Sequence, residues 1–173
     1  MQLPFPGESF DVVVCQFGAM FFPDKPNAFS EAKRVLRPGG TFIFNVWDAI
    51  NQNESAEAVT FALQEMLPTD PPRFMARTPH GYSDTAVLAS HLAEGGFTRP
   101  PIFTTLAAKS RATSPSIPAI AYCQGTVLRS EIETRNSSGL VQATNAAMAE
   151  ISKRFGDDTV EGKTQAHIIM VER

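Results

Sequence analysis

The N-terminal part of the chain consists of short apolar runs separated by one amphipathic segment. Residues 11–17 form a Val-rich apolar run that is too short for a helix and does not alternate, which is typical of a strand buried in a parallel sheet. Residues 41–47 form a second such run. Between them, apolar residues fall at helical spacing on one face: Ala28, Phe29, Ala32, Val35 and Leu36. Strand, helix and strand in this order predict a βαβ unit with parallel strands.

Capping and breaking residues set the predicted limits of the first helix. Asp24 is placed to cap a helix that begins near Lys25, with Pro26 tolerated in the first turn. The run Pro38-Gly39-Gly40 is expected to stop this helix just before the second strand.

The remainder of the chain predicts further helices and two strands. The pattern loosens over residues 48–82 apart from a helix near 55–67, and Ser83 or Asp84 caps the next helix, which Gly95-Gly96 ends. A strand over 97–107 is interrupted by Pro100-Pro101, which suggests a late start or a bulge. The other predicted elements are helices at 114–127 and 140–155 and a strand at 163–171. No repeat or linker is evident, so we expect one α/β domain over residues 1–173.

Composition excludes several functional classes. With 173 residues, 43% hydrophobic and 19% charged, the chain suits a globular domain. Its net charge of −3 and scattered Lys and Arg predict no nucleic-acid partner. The cysteines and histidines show no metal-ligand spacing, so no metal is predicted. No stretch is apolar and long enough to span a membrane, and no secretory signal is visible, so we expect a cytoplasmic protein.

Three motifs in order over about 40 residues carry a family resemblance. They are Leu3-Pro4-Phe5-Pro6 ahead of Ser9-Phe10-Asp11-Val12-Val13, then Phe21-Phe22-Pro23-Asp24, then Arg34-Val35-Leu36-Arg37-Pro38-Gly39-Gly40-Thr41. The order and spacing resemble class I S-adenosylmethionine-dependent methyltransferases (EC 2.1.1 class), especially the small-molecule branch that includes ubiquinone/menaquinone C-methyltransferases. Glu94-Gly95-Gly96-Phe97 fits a later turn of that family.

The resemblance implies a partial Rossmann-like α/β fold. The family sheet has seven strands in the order three-two-one-four-five-seven-six, with the last strand antiparallel, and the four predicted strands correspond to strands four to seven. Strands one to three, with the glycine-rich cofactor turn, have no counterpart in these 173 residues. We therefore expect a truncated methyltransferase without turnover of its own, in which residues 48–82 occupy the position of a substrate-covering lid.

The resemblance also implies S-adenosylmethionine as cofactor and suggests its contacts. Gln16, Phe17 and Gly18 would meet its methionine part, and Leu3 would lie near the adenine edge. The polar Gln16 interrupts an apolar strand at the end where open α/β sheets bind ligands, although a local hydrogen bond would also explain it. Residues that could line an acceptor pocket are Met20, Phe21, Phe22 and Trp47. Core packing is an equally good explanation for the first three and for Phe17.

Three residues are candidates for acid–base chemistry. Asp48 follows the second strand at the ligand-bearing edge and could orient or deprotonate an acceptor, although a helix cap explains it as well. His80 and Tyr82 lie in the lid-like segment, where a surface or packing role is the alternative. The methyl acceptor itself cannot be read from the sequence.

An open strand edge predicts self-association. If the first strand lacks a neighbour on one side, Val12, Val13 and Val14 present an apolar edge that favours pairing with another chain. We expect a homodimer through this edge. The alternative to a methyltransferase is therefore a non-catalytic dimerisation or interaction module with the same fold.

Overall fold

The computed structural model describes residues 2–173, which form a mixed α/β structure. The strands in this range are β1 (Phe10–Gln16), β2 (Leu36–Trp47), β3 (Ile102–Ala112) and β4 (Val160–Glu172). The helices are α1 (Lys25–Val35), α2 (Glu54–Met66), α3 (Phe74–Arg77), α4 (Thr85–Glu94), α5 (Ser116–Gly125), α6 (Leu128–Arg135) and α7 (Leu140–Phe155). None of these helices is both long and apolar enough to cross a membrane.

The four strands form one sheet in the order β1-β2-β4-β3. β1 and β2 are parallel, with Val13 opposite Phe42. β2 and β4 are antiparallel, with Phe44 opposite Ile169. This is the order four-five-seven-six with an antiparallel last strand, so the predicted Rossmann-like methyltransferase fold class is confirmed.

The first helix begins as predicted but ends differently. The Asp24 side chain accepts a hydrogen bond of 3.0 Å from the Asn27 N–H and caps α1. The prediction that Pro38-Gly39-Gly40 stops this helix is wrong, because the backbone is already extended at Leu36 and the chain enters β2 there. The three residues instead lie within β2, where Gly39 has a φ of +79°.

Two other predicted boundaries also need correction. The strand expected over residues 97–107 runs from Ile102 to Ala112, because Pro100 and Pro101 have no N–H to donate to a sheet ladder. Phe97 is buried in the core before the strand begins. The helix expected over 114–127 is the shorter α5, and the sequence pattern missed α3 and α6, which have four and eight residues.

The described residues divide into two compact units. The first comprises the residues up to Asp48 together with Tyr82–Leu106 and Ala166–Arg173, and the second comprises Ala49–Gly81 and Ala107–Gln165. In the first unit, alternate side chains of β2 pack with α1 and α4 in a core that contains Phe29, Phe42, Phe44, Leu88 and Leu92. The second unit has its own core of α2, α5, α6 and α7 side chains. Our expectation of a single domain with a lid-like insertion at 48–82 stays a prediction.

Strand β1 lies at one edge of the sheet. Among residues 2–173 it pairs with β2 alone. Val13 and Cys15 lie against the core, whereas Val12 and Val14 are 51% and 65% exposed. The strand that the sequence suggested would be buried on both faces is therefore covered on one face only.

Candidate functional site

Phe17 directly follows β1, at the carboxyl end of that strand, and its backbone is strained. Its φ of 48° lies in the left-handed region that a bulky side chain rarely adopts. The Phe17 N–H donates a hydrogen bond of 2.8 Å to Asn45 Oδ1, and its ring stacks on Trp47 with centroids 4.0 Å apart. Such conformations persist where the surroundings fix them, and they concentrate at binding sites. We call Phe17, Asn45 and Trp47 the aromatic platform.

Asp48 follows Trp47 directly and belongs to a chain of polar contacts within the first unit. Asp48 Oδ1 is 3.2 Å from His167 Nε2 on β4, and the two side chains are only 14% and 10% exposed. His167 Nδ1 is in turn 2.9 Å from Thr105 Oγ1 on β3. We call Thr105, His167 and Asp48 the polar relay. It gives the predicted acid–base candidate Asp48 a defined partner.

The other two acid–base candidates lie in different surroundings. Tyr82 is buried in the first unit, with its hydroxyl 2.8 Å from His91 Nδ1 and the Lys25 ammonium 4.7 Å from its ring centroid. Burial raises the pKa of the Tyr82 phenol, with a smaller contribution from Glu94, so this group holds its proton and is a poor base. His80 is buried in the second unit, where its backbone N–H donates to the Met75 carbonyl.

Leu3 lies beside α1. Its N–H donates a 2.8 Å hydrogen bond to Glu31, whose carboxylate also pairs with Arg34 at 2.8 Å. These bonds, the one to Arg34 first, lower the pKa of Glu31 to about 2, so the carboxylate stays charged and holds the N-terminal segment. Leu3 and Phe22 line an apolar cavity of about 260 Å³ against β1 and α1.

The remaining candidate residues differ in exposure. Gln16 is exposed at the end of β1, and Phe21 is 53% exposed. Met20 is only 3% exposed and belongs to the core of the first unit. A Cβ on Gly18 would lie 2.9 Å from Cys15 Sγ, so a larger residue there would require the Cys15 side chain to shift. The roles assigned to these residues stay predictions.

Sequence reasoning missed three residues of the site, namely Asn45, Thr105 and His167. Asn45 carried a usable signal, because it is a polar residue in an apolar strand, as Gln16 is, and the two lie opposite each other in the register. Thr105 and His167 carried none. These two residues contact each other across neighbouring strands although they are 62 residues apart in the chain.

Comparison with known proteins finds similarity in the N-terminal part of the chain. Residues 1–44 match the family model described as a methyltransferase domain. The ubiquinone/menaquinone biosynthesis C-methyltransferase UbiE of Pseudoalteromonas translucida is 27% identical over 104 residues, which are 55% of this chain and 41% of that protein. Over these segments the chain is similar to class I S-adenosylmethionine-dependent methyltransferases. The methyl donor of this family is S-adenosylmethionine.

Two further comparisons concern a short segment and the fold. The demethylmenaquinone methyltransferase of Deinococcus radiodurans is 44% identical over 43 residues, which are 25% of this chain and 18% of that protein. A solved candidate methyltransferase from an antibiotic biosynthesis pathway of Anabaena variabilis superposes with a TM-score of 0.55 at 15% identity, covering 96% of this chain and 69% of that one. This likeness shows the fold. The chain spans less than half the length of the two curated relatives named here.

The residues at the carboxyl ends of β1 and β2 are aromatic and polar, and they do not form a glycine-rich turn. The aromatic platform and Gln16 stand at the carboxyl edge of the parallel strands, where open α/β sheets bind ligands. However, β1 is followed by Phe17-Gly18 and β2 by Asp48-Ala49, and neither is a glycine-rich turn that lets the backbone approach a nucleotide closely.

Proposed function

We propose that residues 1–173 supply the methionine-side and acceptor-side wall of an S-adenosylmethionine-dependent methyltransferase that acts on a small molecule in the cytoplasm. The aromatic platform carries this proposal. A bulky residue in the left-handed region, held by Asn45 and stacked on Trp47, is costly to maintain and stands where this fold binds ligands.

The platform suits the chemistry of a methyl donor. A sulfonium centre is a cation, and a cation placed over an aromatic face gains roughly 0.5–2 kcal/mol. Methyl transfer depends mainly on holding donor and acceptor in line at attack distance. Rigid rings at the ends of two paired strands are suited to such positioning.

We also propose that these residues do not turn over the cofactor by themselves. The described chain offers no glycine-rich turn after β1 or β2, as noted above. If each missing polar anchor contributes roughly 1–3 kcal/mol, the loss of two or three anchors lowers affinity by several orders of magnitude.

Mapping of weak binding tests the first proposal. S-adenosylmethionine is titrated into ¹⁵N-labelled protein, and we expect shift changes at Gln16–Gly18 and at the Trp47 indole, which belongs to the single tryptophan of the chain. Phe17→Ala should abolish these changes. The matched control is Phe5→Ala, because Phe5 is also exposed, at 47%, and lies outside the platform. Changes centred elsewhere, or none at several millimolar ligand, would refute the proposal.

A specific observation favours a second candidate function, that of a dimerisation module. The β1 edge lacks the devices that usually protect an edge strand, since its only charged residue is Asp11 and it contains no Lys or Pro. Asp11 is paired with Arg37 at 2.8 Å, which leaves the exposed Val12 and Val14 next to an open edge. We propose that two copies pair through β1.

The mass of the protein in solution tests this second proposal. Light scattering at micromolar concentration should give the mass of a dimer. Val14→Lys should give the mass of a monomer, because it places a charge on the exposed face next to the open edge. Val141→Lys is the control, since Val141 is 66% exposed on α7, which belongs to the second unit. A wild-type monomer with well-protected amides at residues 12–14 would rule out the dimer.

A further inference from the structure

The polar relay has the arrangement by which proteins orient an acid–base group. Asp48 Oδ1 lies 3.2 Å from one ring nitrogen of His167, and Thr105 Oγ1 lies 2.9 Å from the other. His167 is 8% exposed, so its ring is held in place by packing as well as by both hydrogen bonds. A base whose partner is oriented by a third group is the general form of such a constellation.

Hydrogen-bond chemistry assigns the protons of the relay. An ionised carboxylate can only accept, so the proton between Asp48 and His167 resides on Nε2. In a neutral imidazole the other nitrogen is then an acceptor, and the Thr105 hydroxyl donates to it. Since a threonine hydroxyl can rotate to donate, both contacts of the relay are satisfied by one tautomer.

The location of the relay links it to the aromatic platform. Asp48 directly follows Trp47, and Val46 of the same strand lies opposite His167 in the register between β2 and β4. Asp48 therefore lies, like Trp47, at the carboxyl end of β2, and the hydrogen bond to His167 fixes its carboxylate at this end of the strand.

We propose that His167 is a positioning residue for Asp48, and that this carboxylate accepts the proton of a methyl acceptor that carries an O–H or N–H group. The acceptor's proton passes to an Asp48 oxygen, and the bonding pair stays on the acceptor's oxygen or nitrogen, which becomes the nucleophile. The inference deepens the proposed function and rests on it for the identity of the site. A base of this kind serves acceptors that carry a removable proton and gives no advantage to acceptors that lack one.

The first test reads the tautomer directly. Long-range ¹H–¹⁵N correlation spectra resolve the ring nitrogens of the three histidines, and His167→Gln assigns the relevant signals. We expect the Nε2–H tautomer in wild type. Asp48→Ala, which removes the acceptor, and Thr105→Val should each shift this pattern, whereas Thr104→Val, on the neighbouring residue of β3, should not. An Nδ1–H tautomer, or a pattern insensitive to Asp48→Ala, would overturn the assignment.

The second test concerns the acceptor and uses phenol and anisole, which differ by the removable proton. Phenol should shift the His167 ring signals by hydrogen bonding to Asp48, and Asp48→Asn should abolish the shift. Anisole should have no such effect. Equal shifts from both compounds, or none from phenol, would overturn the acceptor proposal. Neither test involves S-adenosylmethionine, so a failure of cofactor binding is distinguishable from a failure of the relay.

Discussion

Replacing Asn45 with alanine removes one hydrogen bond from the aromatic platform. Asn45→Ala leaves the Phe17 N–H without the oxygen that it meets at 2.8 Å, while Phe17 keeps its φ of 48°. A part-buried donor without a partner costs about 1–3 kcal/mol, and a left-handed non-glycine residue costs about 1–2 kcal/mol that the lost bond no longer offsets. We expect the free energy of unfolding to fall by about 1–2 kcal/mol.

Trp47 makes this perturbation measurable at the site. It is the only tryptophan, and its ring stacks on Phe17 at 4.0 Å, so its emission should change as the stack loosens. Urea unfolding is followed by Trp47 fluorescence and by circular dichroism. Asn45→Asp is the matched control, because it keeps an oxygen acceptor at the same position and should retain most of the stability.

This prediction is wrong if the free energy of unfolding of Asn45→Ala lies within about 0.3 kcal/mol of the wild-type value and the Trp47 emission is unchanged. In that case the hydrogen bond would contribute less than a typical net value of roughly 0.5–1.5 kcal/mol. Phe17 would then keep its conformation for a reason other than Asn45.

Two further predictions concern packing and pH. Gly95→Ala places a Cβ 2.8 Å from the Cβ of Phe29. Overpacking of this kind should lower the free energy of unfolding, measured by heat or urea, by about 1–3 kcal/mol. Gly125→Ala is the control and should cost little, because nothing lies within 4 Å of its Cβ. Burial raises the pKa of both tyrosines, Tyr82 and Tyr122. The folded protein therefore keeps protons that the unfolded chain releases as the pH rises through about 10, so the free energy of unfolding should fall in that range. Ultraviolet absorbance should show no tyrosinate before the protein unfolds. Tyrosinate in the folded protein at pH 10 would refute this prediction.

Local sequence signals predicted most of the first unit. The apolar runs and the Asp24 cap gave β1, α1 and β2 in the correct order, because each depends on neighbouring residues. The same holds for α7, whose bounds match the predicted 140–155. The parallel pairing of β1 with β2 followed from the helical crossover between them.

The errors arose where local signals compete. Pro38-Gly39-Gly40 is a typical helix stop, but α1 had already ended at Val35, and the three residues continue the strand with Gly39 at a positive φ. The short helix α6 lacks a side-chain cap and has few apolar residues, so its pattern was weak.

The candidate site was predictable only in part. The position of Asp48 at a strand end was visible, whereas its partner His167 lies 119 residues later and no spacing rule connects them. His80 and Tyr82 are neighbours in the sequence, yet they belong to different units. Contacts of this kind depend on the pairing of β2 with β4, which a sequence pattern does not specify.

Isothermal titration of residues 1–173 with S-adenosylmethionine tests the central claim, that the chain holds one wall of a cofactor site. We expect a dissociation constant weaker than about 100 µM, which corresponds to roughly −5.5 kcal/mol. Phe17→Ala should weaken binding further. Binding tighter than this value, unaffected by Phe17→Ala, would show that these residues are not such a wall.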